Sequence, residues 1–269
     1  MITRLLLVFF LAGAVVFPSA AWCRPEGKAA GATNKTRPAA KAARLTPLAS
    51  KLPGDFVAFD CRQPLSGVPV ETLLDRVQEQ YAAIRAIKAR FVQKSYLASL
   101  DQSEISSGRM FFLKPGRMRW NYESPEEQVF IVRDGIMWWH QPLLKQVIIQ
   151  EFEKVLISNL PLSFLMGFGN LKNDFVLKEA CRNTEGLLLQ MAPKDKASSK
   201  EDALSSFLAL VDESTFLPQG AQVVDVAGNV TSILLRETEV NAADLPESLF
   251  SLEVPPGTDI CDRRGEERW

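Results

Sequence analysis

The sequence has few of the side chains from which catalytic and metal sites are usually built. Its 269 residues contain one histidine, His140, and four cysteines without a C-x-x-C pair. It also contains no glycine-rich phosphate loop and no G-x-S-x-G turn. Metal sites that need a pair of histidines are therefore excluded, and we expect no metal, no cofactor and no enzymatic activity.

The chain also lacks an excess of charge. It has 31 basic and 32 acidic residues and a net charge of −1. Nucleic-acid-binding proteins carry a strongly basic stripe or patch. We therefore expect no nucleic-acid partner, whereas a partner that presents apolar surface remains compatible with this composition.

The N-terminus reads MITRLLLVFFLAGAVVFPSAAW, with one basic residue, an apolar run from Leu5 to Phe17 and a small-residue site. The run is shorter than the roughly 20 residues of a membrane span. This layout predicts a secretory signal peptide over residues 1–21. A lipoprotein signal ending at Cys23 is the alternative, but Trp22 occupies a position where that signal requires a small residue. Export permits a disulfide among the later cysteines, which are Cys61, Cys181 and Cys261.

Composition divides the rest of the chain. Residues 22–60 are rich in Ala, Lys, Pro and Gly, which predicts a flexible basic tail, and residues 263–269 read as a polar C-terminal tail. Residues 61–262 then form one domain of ordinary size.

Within this domain, apolar residues recur at helical spacing from Val70 to Ile84, after Pro69, and predict one amphipathic helix. A short apolar helix is expected at Pro161–Met166 and a helical turn at Pro246–Leu249. The period of two elsewhere predicts strands at 88–97, 105–114, 117–123, 128–133, 136–141, 145–152, 174–181, 187–192, 206–212, 219–226, 230–239 and 250–254. The chain is therefore predicted to be an α+β domain with a large antiparallel sheet.

The stretch FFLKPGRMRWNYESPEEQVF places a Pro-Gly turn between two alternating segments. One face carries bulky and partly flexible side chains, namely Met110, Phe112, Met118, Trp120 and Tyr122. Such residues fill gaps in cores, but they also adapt to variable ligands. Alternation alone leaves both interpretations open.

The order of these motifs resembles the LolA family of periplasmic outer-membrane lipoprotein carriers. The resemblance covers about residues 68–261 and is carried by the helix, by ARFVQK, SGRMFFLKPGRMRWNYESP and QVFIVRDGIMWW, and by FSLEVPPGTDI. It implies an incomplete antiparallel β-barrel of about eleven strands, with a lid of short helices over a hydrophobic cavity. It also implies a monomer that takes acylated lipoproteins from an inner-membrane ABC transporter to an outer-membrane receptor.

On this resemblance we expect the acyl-chain cavity to be lined by Phe91, Met110, Phe112, Lys114, Met118, Trp120, Tyr122, Leu162, Leu165 and Met166. The family usually has Arg before the Pro, where this chain has Lys114. Lysine offers one compact ammonium instead of a planar fork, so a hydrogen bond that holds the lid would be weaker or differently arranged.

Two other functions stay open. A related lipid- or lipoprotein-binding sensor would share the cavity without moving cargo between membranes. A secreted hydrolase would need His140, which we interpret as a structural residue beside Trp138 and Trp139.

Overall fold

The computed structural model of the protein describes residues 59–61, 63–65, 70–152, 175–194, 204–242 and 245–265. These residues form one 13-stranded sheet with a single α-helix, α1, at Val70–Ala83. The strands in chain order are β1 Gln63–Pro64, β2 Ala86–Leu97, β3 Gln102–Leu113, β4 Arg117–Ser124, β5 Gln128–Arg133, β6 Ile136–Gln141, β7 Gln146–Glu151, β8 Phe175–Arg182, β9 Leu187–Pro193, β10 Leu204–Val211, β11 Pro218–Asp225, β12 Val230–Val240 and β13 Asp259–Asp262.

The order of strands across the sheet is β1-β8-β9-β10-β11-β12-β2-β3-β4-β5-β6-β7-β13. Consecutive strands pair as antiparallel neighbours from β2 to β7 and from β8 to β12, and β12 joins the two halves by pairing with β2. The sheet is open, because β1 and β13 are its two edges and are not paired with each other. The long β2 and β3 lie near the centre, and together with β4 they carry six of the ten predicted site residues.

Helix α1 packs on one face of this sheet, which we call the helix face. Its buried residues Leu73, Leu74, Val77 and Tyr81 belong to the same hydrophobic cluster as the alternate residues of β2 to β5 and β8 to β12. The spacing of three and four residues puts these side chains on one side of the helix. Burial of this apolar stripe fixes α1 against the sheet. Among the described residues, no helix is long and apolar enough to span a membrane.

Turn chemistry sets the register of the strands. Between β5 and β6, Asp134 and Gly135 both have positive φ, at 52° and 74°. A two-residue hairpin turn of this kind matches the right-handed twist of its strands and favours Asp-Gly. The strands on either side, 128–133 and 136–141, have the predicted bounds.

Three expectations about the sheet need correction. There are thirteen strands instead of about eleven, and β13 pairs with β7 in parallel, so the sheet is not wholly antiparallel. The strand expected at 250–254 is absent: Glu247–Phe250 forms a short 3-10 helix, and the last strand comes at Asp259–Asp262. The short helix expected at Pro161–Met166 lies outside the described residues, so the expected lid stays a prediction.

The C-terminal segment crosses the outer face of the sheet, opposite α1. The guanidinium of Arg119 on β4 donates to the carbonyl oxygen of Leu249 at 2.9 Å and to that of Ser251 at 3.4 Å. Phe250 between them is fully buried. These backbone groups are held by a side chain instead of a neighbouring strand, which is why the segment is not part of the sheet.

A disulfide joins Cys61 to Cys181 across 120 residues and connects the segment before β1 to β8. The expected bond among the last three cysteines is therefore formed by this pair. Beside it, on the outer face, lies a cavity of about 170 Å³ lined by residues that include Phe59, Leu188 and Leu208. Its volume is below the roughly 300–1,000 Å³ of ordinary ligand pockets.

Candidate functional site

Seven of the ten predicted site residues lie in the described part of the chain, and six of them meet in one cluster on the helix face. These six are Phe91, Met110, Phe112, Met118, Trp120 and Tyr122. Each is at most 7% exposed, and Met110 and Phe112 are wholly buried. The remaining three predicted residues, Leu162, Leu165 and Met166, lie outside the described residues. The cluster is thus packed together with α1.

The aromatic side chains of the cluster are in direct contact. The ring of Phe91 lies 4.6 Å from that of Trp120 and 4.9 Å from that of Tyr122, measured between centroids. Tyr122 in turn meets Phe130 edge-on at 5.5 Å. Such tilted and edge-to-face pairs are the arrangements that aromatic quadrupoles favour.

Gly108 makes the position of Phe91 possible. It pairs directly with Phe91 in the sheet, and a Cβ at Gly108 would lie 3.0 Å from the ring of Phe91 and 1.9 Å from the carbonyl oxygen of Asn121. Only glycine fits between these atoms. The glycine of the S-G-R-M-F-F motif therefore provides room for an aromatic side chain on the neighbouring strand.

The helix face changes from apolar to polar along β2 to β5. Two cross-strand rows are entirely apolar, and we call them the apolar rows: Ile87, Phe112, Met118 and Val132 in one, and Ala89, Met110, Trp120 and Phe130 in the other. Farther along the same strands come five polar side chains, which we call the polar rows: Gln93, Ser95, Glu104, Ser106 and Gln128. Phe91 and Tyr122 lie between the two sets.

Hydrogen bonds connect the polar rows. The Tyr122 hydroxyl donates to Oε1 of Gln93 at 2.9 Å, and Nε2 of Gln93 donates to Oγ of Ser95 at 3.0 Å. The indole N–H of Trp139 donates to Oε1 of Gln128 at 3.0 Å. Buried polar groups need such partners, because an unmade hydrogen bond costs free energy in the interior. The polar rows therefore contain separate hydrogen-bonded groups in which buried polar side chains find partners.

Glu104 is the one carboxylate of the polar rows and accepts a hydrogen bond from Ser106 at 3.5 Å. Burial raises its pKa from 4.5 to about 7, a hydrogen bond from Ser106 opposes that rise, and the nearby charge of Glu126 adds to it. Burial, with a contribution from Glu104, also raises the pKa of Tyr122 well above its ordinary value. The protonation state of Glu104 consequently changes near neutral pH.

Lys114 lies at the other end of the site and holds the end of α1. Its ammonium donates to the carbonyl oxygens of Tyr81 at 2.8 Å and Ala82 at 3.2 Å. The last carbonyls of a helix have no partner within the helix, and a cation there also interacts favourably with the helix dipole. Burial lowers the pKa of the Lys114 ammonium. Lys114 is thus joined to α1.

A second side chain completes this anchor. Asn241, after β12, accepts hydrogen bonds from the backbone N–H of Arg85 at 2.7 Å and of Ala86 at 3.3 Å, and donates to the carbonyl oxygen of Ala83 at 3.3 Å. Its positive φ of 56° is a conformation that Asn tolerates better than most residues. Sequence reasoning did not identify Asn241, because its partners lie about 155 residues away and no local pattern marks it.

His140 lies apart from this site. It is buried on β6, pairs with Val129 and Val147, and faces away from Trp139. Burial lowers its pKa, so its imidazole is neutral at pH 7. Within the described ranges, no three His, Cys, Asp or Glu residues are grouped so that they could hold a metal ion.

Comparison with known proteins gives a consistent result. A family model described as outer membrane lipoprotein carrier protein LolA matches residues 82–253. An outer-membrane lipoprotein carrier protein of Legionella pneumophila (strain Corby) is 30% identical over 191 residues, covering 71% of this chain and 90% of that protein. A protein of the same description from Nitrosomonas europaea is 28% identical over 190 residues, covering 66% and 88%.

A solved LolA superfamily protein from Nitrosomonas europaea is 12% identical and covers 69% of this chain and 99% of its own, with a TM-score of 0.39. That score is too low for comparing individual positions. All strands from β2 to β12 lie within the range that the family model matches.

Proposed function

The chain belongs to the LolA family of outer membrane lipoprotein carrier proteins, and on this premise we propose that it carries acylated lipoproteins across the periplasm. In this proposal the chain is exported by its signal peptide and acts as a monomer. It receives lipoproteins from an inner-membrane ABC transporter and delivers them to an outer-membrane receptor. Carriers of this family are binding proteins, and the proposed role needs no catalytic group.

The observation that carries the proposal is the cluster on the helix face. The apolar rows offer Met110, Phe112 and Met118, whose flexible and aromatic side chains can rearrange around a hydrocarbon chain. Burial of an acyl chain gives about 0.8 kcal/mol per CH₂, or on the order of 10 kcal/mol for a long chain. A carrier must offset most of this transfer energy and still allow release.

In the described structure the apolar rows are covered. Phe112 is wholly buried and Trp120 is 2% exposed. An acyl chain therefore reaches them only if a covering element moves, and α1 is the described helix that packs in the same cluster. The closed arrangement protects the apolar rows from water when no cargo is bound, and binding shifts the population toward an open arrangement.

The proposal is tested by asking whether the purified, exported protein extracts an acylated lipoprotein from inner-membrane vesicles that contain the transporter. We expect a soluble complex of the two proteins. The control is the same lipoprotein with its lipid-attachment cysteine replaced by serine, which should not need the carrier and should not form the complex. Failure to extract the acylated form would contradict the proposal.

A second step separates a carrier from a sensor that only binds lipoproteins. The isolated complex is mixed with outer-membrane vesicles that contain the receptor, and the distribution of the lipoprotein is measured after sedimentation. A carrier releases its cargo to the vesicles. Retention of the cargo in the supernatant would favour the sensor.

A further inference from the structure

One polar atom within the apolar rows has no partner. The indole Nε1 of Trp120 is buried and makes no hydrogen bond with any of the residues that the structure describes. The whole side chain is only 2% exposed. A buried donor without an acceptor costs about 1–3 kcal/mol, and nearly all such groups in native proteins are satisfied. An unpartnered N–H at a candidate binding site therefore requires an explanation.

The neighbouring residues show that this is a local exception. Trp139 is also a tryptophan on the helix face, and its Nε1 donates to Gln128 at 3.0 Å. The Tyr122 hydroxyl, two residues from Trp120, is likewise satisfied by Gln93 at 2.9 Å. Acceptors for polar side chains are thus available on this face. None of these acceptors bonds the indole N–H of Trp120.

The surroundings of Trp120 are poorly suited to an ordered water. Its cross-strand neighbours are Met110 and Phe130, and the rings of Phe91 and Tyr122 lie beside it. A buried water normally makes about three hydrogen bonds to polar groups. The one polar group among these side chains is the Tyr122 hydroxyl, which already donates to Gln93. A weak N–H contact with an aromatic ring would recover only a small part of the lost hydrogen bond.

The position of Trp120 indicates which ligand group would satisfy it. Toward the Pro115-Gly116 turn lie Met118 and Phe112, which suit hydrocarbon, and in the other direction lie the polar rows. A fatty acyl group also changes from apolar to polar along its length, because its hydrocarbon chain ends in a carbonyl that is bonded to an ester oxygen or an amide nitrogen. The carbonyl oxygen is a hydrogen-bond acceptor at the boundary between the two parts.

We propose that Trp120 Nε1 donates a hydrogen bond to the carbonyl oxygen of a bound acyl chain, so that the site prefers ester- or amide-linked chains to ether-linked ones. This inference rests on the proposed function, because it assumes that the acyl chain lies on the helix face. It adds a chemical preference that burial of hydrocarbon alone does not provide, since an ether-linked chain of equal length buries the same apolar surface.

The test uses three probes of equal chain length: methyl laurate, N-methyl lauramide and methyl dodecyl ether. Their affinities for the full mature protein are measured by competition with a fluorescent fatty acid. We expect the wild type to bind the ester or the amide about tenfold more tightly than the ether, the effect of roughly one hydrogen bond. The ratio between ester and amide identifies which linkage the site favours.

Two variants test whether the indole N–H of Trp120 causes the preference for carbonyl-containing chains. Trp120→Phe removes the N–H and should bring the carbonyl-to-ether ratio close to one, whatever its effect on overall affinity. Trp139→Phe is the matched control, because it removes an indole N–H that already has a partner, and it should keep the preference. In ¹⁵N-indole spectra of the wild type, the Trp120 Nε1–H proton should shift downfield with ester or amide and much less with ether.

The outcomes separate the two proposals. Equal affinities of the wild type for ester, amide and ether would overturn the role of Trp120 and leave the proposed function in place. An unchanged ratio in Trp120→Phe would overturn it as well. Absence of binding for all three probes would contradict the proposed function, and with it this inference.

Discussion

The ammonium of Lys114 lies 2.8 Å from the carbonyl oxygen of Tyr81 and so connects the turn after β3 to the last turn of α1. The connection joins the residue that precedes the Pro-Gly turn to the helix that packs in the same hydrophobic cluster as the apolar rows. Asn241 adds a second connection at Ala83. The end of α1 is consequently fixed to the sheet by two side chains that are distant in the sequence.

We predict that Lys114→Met loosens the end of α1. The variant loses the hydrogen bonds to the carbonyl oxygens of Tyr81 and Ala82. Because the ammonium is partly exposed, we expect the unfolding free energy to fall by about 1 kcal/mol. Amide hydrogen exchange should accelerate at Ile84, whose backbone N–H donates hydrogen bonds to the carbonyl oxygens of Gln80 and Tyr81. Lys114→Arg is the control and should retain protection. Unchanged exchange at Ile84 in Lys114→Met would show that the contact does not hold the helix.

A pair of phenylalanines tests the proposal that acyl chains bind at the apolar rows of the helix face. Phe112 on β3 and Phe207 on β10 are both wholly buried in the same cluster. Each change to Ala should lower the unfolding free energy by about 3–5 kcal/mol in urea titrations. Only Phe112→Ala should also reduce lipoprotein extraction at a temperature where both variants are folded. Equal loss of extraction in the two variants would mean that the effect follows stability alone.

The raised pKa of Glu104 predicts how stability depends on pH. Between pH 4.5 and about 7 the folded protein retains a proton that the unfolded chain has lost, so this residue lowers stability progressively as pH rises through that interval. Below pH 4.5 both states are protonated and the effect vanishes, and above pH 7 it is constant. Glu104→Gln should therefore gain stability relative to the wild type between pH 5 and pH 8, measured by urea unfolding.

The control for that measurement is Glu126→Gln. Because the charge of Glu126 contributes to the rise, its removal should move the titration of Glu104 to lower pH without abolishing it. The titration is followed by the carboxyl ¹³C chemical shift of Glu104. A Glu104 titration midpoint near 4.5 in the wild type would contradict a pKa raised by burial of this carboxyl group.

Arg119 is expected to hold the C-terminal segment on the outer face. Arg119→Ala removes the hydrogen bonds to Leu249 and Ser251, so cleavage at Glu253 by a glutamate-specific protease should become about tenfold faster. Arg117→Ala is the control, because its ion pair with the well-exposed Glu247 contributes little. Equal cleavage rates in the two variants would show that other contacts retain the segment.

The sequence was sufficient for elements whose signals are local. The hairpin of β5 and β6 was predicted with its observed bounds, because apolar alternation and Asp134-Gly135 specify it without help from distant residues. FSLEV alternates equally well, yet Arg119 bonds carbonyls at 249 and 251 and the segment crosses the outer face. β13 has little apolar alternation and depends on parallel pairing with β7, which is more than 100 residues away. The local sequence therefore did not predict this strand.

The same distinction applies to the site. Alternation placed Met110, Phe112, Met118, Trp120 and Tyr122 on one face, and the structure brings them together with Phe91. The partners of Lys114 and the polar rows were not predicted, because each depends on which strands become neighbours. Gln93 and Ser106, for instance, interrupt the apolar pattern of their strands in the sequence. They are recognised as neighbours only once β2 is paired with β3.

The anchor at Ala83 also determines how α1 can move. The helix has 14 residues, or about 20 Å at about 1.5 Å per residue. With one end fixed, any tilt away from the sheet has its pivot there, and displacement increases with distance along the axis. A tilt of about 20° would carry Val70 about 7 Å while Ala83 stayed in place, which exceeds the roughly 4.8 Å spacing between strands. The gap under α1 would therefore open as a wedge, narrow at Lys114 and wide at Val70.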